Sequence, residues 1–172
     1  LNDSGAKLPV PNIIRSADGA LYKSVEGPDG ELRFIWLQQQ CAGIDYATFQ
    51  PKPLALIEQV GEVVGLTDKI MQGFKHPALA RDFKWNLSTA DWIEEHIPAI
   101  EDSIERDLLA SIAGQFAAIK PQLKHLPMQA IHNDVNDYNL LVQGSLNSAP
   151  KISGLIDLGD MCLGPRISNL AI

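Results

Sequence analysis

The rhythm of apolar and polar positions changes twice along the chain. Val10 to Ser16, Ala20 to Val25 and Glu31 to Gln38 read as three strands of a β-meander. They are separated by Ala17-Asp18-Gly19 and Gly27-Pro28-Asp29-Gly30, where glycine after aspartate supplies the positive φ of a tight hairpin turn. Gln39 to Tyr46 reads as a linker. From Pro53 the period becomes helical, with Leu54, Ile57, Val60 and Val64 on one face and Pro51 and Pro53 at the helix start. Residues 73–86 are irregular, and Ser88 to Asp91 forms a capping pattern for a short helix closed by Pro98. The longest helix is expected from about Asp102 to Ile119. Its stripe of Ile104, Leu108, Ile112, Phe116 and Ile119 is expected to face the core, and Pro121 to end it. Gln129 to His132, Asn139 to Gln143 and Lys151 to Ile156 are then short strands, the last two joined by a turn over 144–150. Strands first, helices in the middle and a hairpin near the end predict segregated α+β architecture rather than alternating βαβ units.

Composition narrows the function classes. At 172 residues and 45% hydrophobic content the chain has the length of one domain with a sizeable core. Its apolar runs fall far short of the roughly 20 residues a membrane helix needs, so no membrane partner is expected. Leu1 to Lys7 lack an apolar signal core, and Cys41 and Cys162 form no metal-ligand or disulfide pattern, which points to a reducing cytoplasm. Twenty-one acidic residues against fourteen basic ones give a formal charge of −7, with the basic residues scattered, so nucleic acid is not an expected partner. The net field favours a cationic small molecule such as an amine.

The chemistry concentrates between Ile131 and Asp160. Asp134 follows a strand in a loop rich in Asn and Asp, Asn139 lies five positions on, and Asp157 closes the following hairpin beside Gly159. Phosphoryl transfer needs one carboxylate to orient the attacking hydroxyl and accept its proton, plus oxygen ligands that hold magnesium against nucleotide phosphates. The blander reading of Asn133, Asp134, Asn136 and Asp137 is a network of Asx turns. His132 is expected to organise the backbone rather than move a proton; Asn136, Asp137 and Asp160 either contact substrate or shape loops, and the structural role is the first expectation. His76, His96 and His125 have no partners at zinc-ligand spacing. Arg81 to Trp85 either lines a pocket or packs between helices, and packing is the commoner role of such a cluster. No Gly-x-Ser-x-Gly elbow supports a hydrolase triad. A hydrolase using Asp134, Asp137, Asp157 and Asp160 would need two close metal ions.

The loop His132 to Asn139 has the form His-x-Asp-x-x-x-x-Asn. With Ile156-Asp157-Leu158-Gly159-Asp160-Met161 and the ending Asn169-Leu170-Ala171-Ile172, it resembles the aminoglycoside phosphotransferase and choline kinase superfamily, which has the protein-kinase-like fold. The string is most similar to the hydroxylysine kinase branch, which includes phosphotransferase domains fused to class III aminotransferases. The likeness extends back through Arg81 to Leu87 and the Asp-Gly hairpins to Leu8-Pro9-Val10-Pro11. It implies Asp134 as catalytic base, Asn139 and Asp157 as magnesium ligands, and ATP or GTP as phosphate donor. It implies as acceptor a small hydroxyl compound bearing an amine, with hydroxylysine-like amino alcohols favoured. Gln39 and Cys41 match the place where such kinases meet the nucleotide base through backbone groups. Residues 1–40 would be the remnant of the small β lobe with the hinge, and 41–172 the helical lobe, incomplete at both ends. The nucleotide-covering loop, strand lysine and helix glutamate of a complete member are not in this sequence, so the fragment alone is expected to be catalytically poor. The alternative is a non-catalytic kinase-fold module that binds for or regulates a partner enzyme.

Overall fold

Two of the Asp-Gly turns set the first strands. Gly19 and Gly30 take φ of +84° and +79°, and their N–H groups donate to the carbonyls of Ser16 (2.8 Å) and Gly27 (3.0 Å). The computed structural model describes residues 8–171; the expectations placed on Leu1 to Lys7 and on Ile172 lie outside them. Here β1 (Ile13–Ile14), β2 (Lys23–Glu26), β3 (Leu32–Ile35) and β4 (Leu37–Gln38) form two antiparallel pairs, β1 with β4 and β2 with β3. The arrangement is nested rather than a three-strand meander. The expected strand 31–38 is interrupted at Trp36, so its two halves pair with different partners.

Part of the expected linker is also a strand, β5 (Ile44–Asp45). Helix α1 (Leu54–Met71) begins where Pro53 predicts. Its buried positions are Leu56, Val63, Val64, Thr67 and Met71, whereas Leu54 is 70% and Ile57 48% exposed. Val64 of the expected face is buried and Val60 half-buried, so the helix is turned only part of the way from that face. Two 3-10 segments follow, Pro77–Ala80 and Leu87–Ala99, and the second is capped by the Asn86 side chain, which accepts from the Ser88 N–H at 3.0 Å, two positions before the expected cap.

Helix α2 (Ser103–Leu123) is capped by Asp102 through the N–H groups of Ile104 (2.8 Å) and Glu105 (3.0 Å), and it runs past Pro121 instead of stopping there. The stripe expected in the core is not buried: Ile104, Leu108, Ile112 and Ile119 are 79%, 59%, 52% and 52% exposed. The half-buried face is Arg106, Leu109, Ala113, Phe116, Lys120 and Leu123, and α2 packs with that side of the 3-10 segment 87–99. Apolar residues occupy more than one face of α2, and periodicity alone does not say which face finds a neighbour.

After α2 come β6 (Met128–Ile131), β7 (Leu140–Gln143), β8 (Lys151–Leu155), a 3-10 turn (Leu158–Asp160), β9 (Cys162–Pro165) and α3 (Ser168–Ala171). β7 is the centre of an antiparallel sheet ordered β5-β7-β8, and β6 pairs antiparallel with β9, a strand that the sequence pattern did not reveal. The result is the expected α+β class.

The described chain falls into two compact units. One comprises residues 8–63 and 136–156, with Tyr46, Phe49, Leu56, Leu140, Val142 and Leu155 buried. The other comprises 64–135 and 157–171, with Met71, Leu79, Ile131, His132 and Cys162 buried. In the second unit Cys162 lies opposite Ile131 in the β6-β9 ladder, is fully buried, and has its thiol pushed up to about 11 by that burial.

One glycine admits no side chain. Gly43, just before β5, has φ of +141°, and a Cβ there would sit 2.6 Å from the carbonyl oxygen of Val142 in β7. Gly43→Ala is expected to destabilise the fold by about 1–3 kcal/mol in urea unfolding, because a residue forced into a glycine-only conformation is strained. Gly114→Ala, placed in α2 with open space around the new methyl, should instead add roughly 0.5–1 kcal/mol.

Candidate active site

The loop after β6 is held through its backbone. His132 is fully buried, and its Nδ1 accepts from the N–H of Asp134 at 3.3 Å, the organising role expected for it. Asn133 takes φ of +68°, a conformation that Asn tolerates better than most residues. Its N–H donates to Oδ1 of Asn169 at 2.9 Å, and its Nδ2 donates to the Trp85 carbonyl at 3.0 Å. Asn169, 2% exposed, in turn donates from Nδ2 to Oδ1 of Asp68 at 2.6 Å, and Gln129 donates to the Asp68 carbonyl at 2.9 Å. Burial raises the Asp68 carboxyl above its usual range; the Asn169 hydrogen bond and Arg166 oppose that shift. Asn133, 5% exposed, keeps its Oδ1 without a hydrogen-bond partner. Leaving such a group unmade costs about 1–3 kcal/mol, and here that cost sits beside Asp134. Asp134 itself is half-buried.

Asp157 belongs to the same compact unit as Asp134. It follows the buried end of β8, has φ of +59°, and caps the 3-10 turn with its carboxylate accepting from the Gly159 N–H at 3.2 Å. The residue is exposed, so the carboxylate is presented rather than sequestered. Asn133 and Asp157 are two of the three non-glycine residues with positive φ among those described, and strained backbone of this kind concentrates at functional sites.

Asn139 lies in the other unit. Oδ1 of Asn136 accepts from the N–H groups of Tyr138 (2.8 Å) and Asn139 (3.2 Å), so an Asx turn, the blander reading of this loop, does exist. That turn presents Asn139, half-buried, at the head of β7, and its carbonyl accepts from the N–H of Ile156 at 2.9 Å, the residue covalently preceding Asp157. Asp137 is engaged by Lys52 at 3.7 Å, which agrees with its loop-shaping role. Also in this unit, the Gln39 N–H donates to the Asn12 carbonyl at 2.8 Å, and Cys41 is half-buried with its thiol raised by desolvation. The Gln39 amide is thereby committed to the β1-β4 pair.

Among the described residues no three His, Cys, Asp or Glu side chains gather into a metal-holding group. The donor chemistry of Asp134, Asn139 and Asp157 nevertheless fits magnesium, a hard cation bound through one or two carboxylates with substrate phosphates and water supplying the rest. Three supports escaped the sequence reading: Asp68, Asn169 and Arg81. The sequence shows Asn169 only as part of a motif, and Arg81 as part of a cluster that either lines a pocket or packs.

A family model described as phosphotransferase enzyme family matches residues 1–172. The chain belongs to this family. It is 29% identical to hydroxylysine kinase of Danio rerio over 96% of its own length and 48% of that protein's. It is 28% identical to hydroxylysine kinase of Mus musculus over 66% of its length and 33% of that protein's. Against homoserine kinase of Pseudomonas aeruginosa PAO1 the figures are 28%, 96% and 47%. The chain thus spans a third to about half of these curated relatives. Among solved structures, aminoglycoside-3'-phosphotransferase of type VIII superposes with a TM-score of 0.50 at 16% identity, covering 99% of this chain and 58% of that one. The likeness is one of fold, and it agrees with the protein-kinase-like architecture expected from the loop motif.

In this member of the phosphotransferase enzyme family the Asp68-Asn169-Asn133 connection can be tested by stability. Asn169→Ala should cost about 1–3 kcal/mol in denaturant unfolding by stranding the Asn133 N–H. Removing the donor that favours charged Asp68 should also make the deficit pH-dependent. It should widen as pH rises through the raised folded value of the wild type toward the still higher value of the variant, because the lost hydrogen bond favours the carboxylate over the acid.

Proposed function

We propose that the full-length protein moves the terminal phosphate of ATP or GTP to a hydroxyl of a small amine-bearing molecule, an amino alcohol of the hydroxylysine type. The observation that carries this reading is the presentation of Asp134, half-exposed, three residues beyond a buried strand whose following loop is fixed by His132 and Asn133. In the reaction, the Asp134 carboxylate orients the acceptor hydroxyl and takes its proton as that oxygen bonds to the terminal phosphorus, while the bond from phosphorus to the departing nucleoside diphosphate breaks. Asn139 and Asp157 hold magnesium, which neutralises phosphate charge when bound. Asp157 is suited to this because its backbone and its bond to the Gly159 N–H fix the carboxylate before any ligand arrives.

Two relatives support the acceptor class. Hydroxylysine kinase and homoserine kinase are both named for amino acids carrying a side-chain hydroxyl. The charge of −7 suits a ligand bearing an ammonium group. We place the nucleotide base near Gln39 to Cys41, in a lobe division of 1–40 and 41–172, with Gln40 and Cys41 supplying backbone contacts beyond the committed Gln39 amide. The described residues contain no helix long and apolar enough to cross a membrane, and both cysteines are free thiols, in keeping with a reducing compartment.

Asp134→Asn in the full-length protein should lower kcat for hydroxylysine phosphorylation by about 10²–10⁴-fold, the usual worth of a positioned general base. Its nucleotide affinity should stay within about twofold, since the change removes a proton acceptor rather than a binding group. An undiminished rate would remove Asp134 from this role. Asp157→Ala should abolish most of the magnesium-dependent gain in nucleotide affinity, read by calorimetry with and without Mg2+. Equal gains in the two proteins would contradict the assignment.

A further inference from the structure

The segment between the two 3-10 helices, 81–86, carries polar groups that reach the backbone around both candidate carboxylates of the second unit. Arg81 is exposed, but its guanidinium is fully engaged on one side: Nη2 donates to the Gly159 carbonyl at 2.9 Å and Nη1 to the Met161 carbonyl at 3.0 Å. The guanidinium carbon lies over the Phe83 ring, 4.5 Å from its centroid, a cation–π contact. Further along, the Trp85 carbonyl accepts from Asn133, and Asn86 donates to the Leu163 carbonyl in β9 at 3.3 Å.

The turn that Arg81 grips is short of internal bonds. Residues 158–160 make a single 3-10 turn closed by a long Met161 N–H to Leu158 contact of 3.4 Å, and the turn starts from Asp157 at a φ that costs a non-glycine residue energy. Carbonyls at the end of so short a helix lack intrahelical donors. A planar fork satisfying two of them at once fixes the turn's direction in a way that the point charge of lysine does not.

We propose that Arg81 is a positioning residue for Asp157: by clamping the carbonyls of Gly159 and Met161 it holds the turn so that the Asp157 carboxylate stays aimed at a magnesium-bound nucleotide. This rests on the reading of Asp157 as a magnesium ligand. In this role Arg81 acts through the 157–161 turn.

The test is calorimetry of the full-length protein with ATP, or with GTP if ATP does not bind, with and without Mg2+. Wild type, Arg81→Ala, Arg81→Lys and Asp157→Ala are compared, with far-UV circular dichroism as the folding control. Arg81→Ala is expected to lose about fivefold or more of the magnesium-dependent gain in affinity, with metal-free affinity within about twofold, since a misaimed ligand weakens the metal and not the nucleotide itself. Arg81→Lys, which keeps charge and stem but not the fork, should lose about two- to threefold. If Arg81→Ala does not fold, Arg81→Lys decides the matter. A gain equal to wild type in the Arg81 variants, while Asp157→Ala loses it, would overturn the role of Arg81 and leave the magnesium reading standing. Equal weakening with and without Mg2+ would reduce Arg81 to general packing and overturn the proposal. An unchanged gain in Asp157→Ala would remove the magnesium reading and the positioning role together.

Discussion

The anchoring of Asn133 is the constraint on which the candidate catalytic loop depends. A residue at φ of +68° holds that conformation only where its surroundings over-determine it, and here three contacts do so. Asn169 takes the main-chain N–H, Trp85 takes the side-chain amide, and the neighbouring His132 binds the next N–H along. The partners come from α3, from the irregular segment before the second 3-10 helix, and from the loop itself. The price is a buried amide oxygen with no donor. Such a trade is understandable if what is stabilised is the direction in which Asp134 leaves the strand rather than the stability of the fold.

A similar logic recurs on the opposite side of the hairpin. Asp157 also takes positive φ, and its turn is also held from outside by groups that have no chemistry of their own. Asn139 is treated differently, by a local Asx turn from Asn136, three residues away. Changes remote in sequence, at residues 68, 81 or 169, are therefore connected through hydrogen bonds to the backbone that carries the carboxylates, while the head of β7 is set by Asn136 and by the Ile156 N–H.

What was legible in the sequence follows from the same distinction between local and distant causes. The Asp-Gly turns, the start of α1, the approximate start of α2 and the β7-β8 hairpin are dictated by neighbours in the chain, and pattern reading found them. The α1 face, the exposed stripe on α2 and the pairing of β9 with β6 are decided by what packs where, which periodicity does not encode. Trp36 splits an expected strand because its two halves serve different partners. In the site, Asp134, Asn139 and Asp157 stood out through spacing and family likeness. Arg81 and Asp68 did not, because a supporting residue is defined by the carbonyl or amide it reaches across some 60 to 80 positions. Asn169 was visible as a letter in a motif, but its contact with Asn133 was not.

The β6-β9 ladder has a practical consequence of its own. Cys162 is sealed opposite Ile131, one residue before His132, with a thiol that stays protonated until about pH 11. Only the thiolate reacts with alkylating reagents, so this sulfur is chemically silent while the strands stay zipped and becomes labelled only when they part. The fold thus holds a gauge under the candidate catalytic loop: the pace of labelling at this one atom reports how often the strand that carries the loop comes loose.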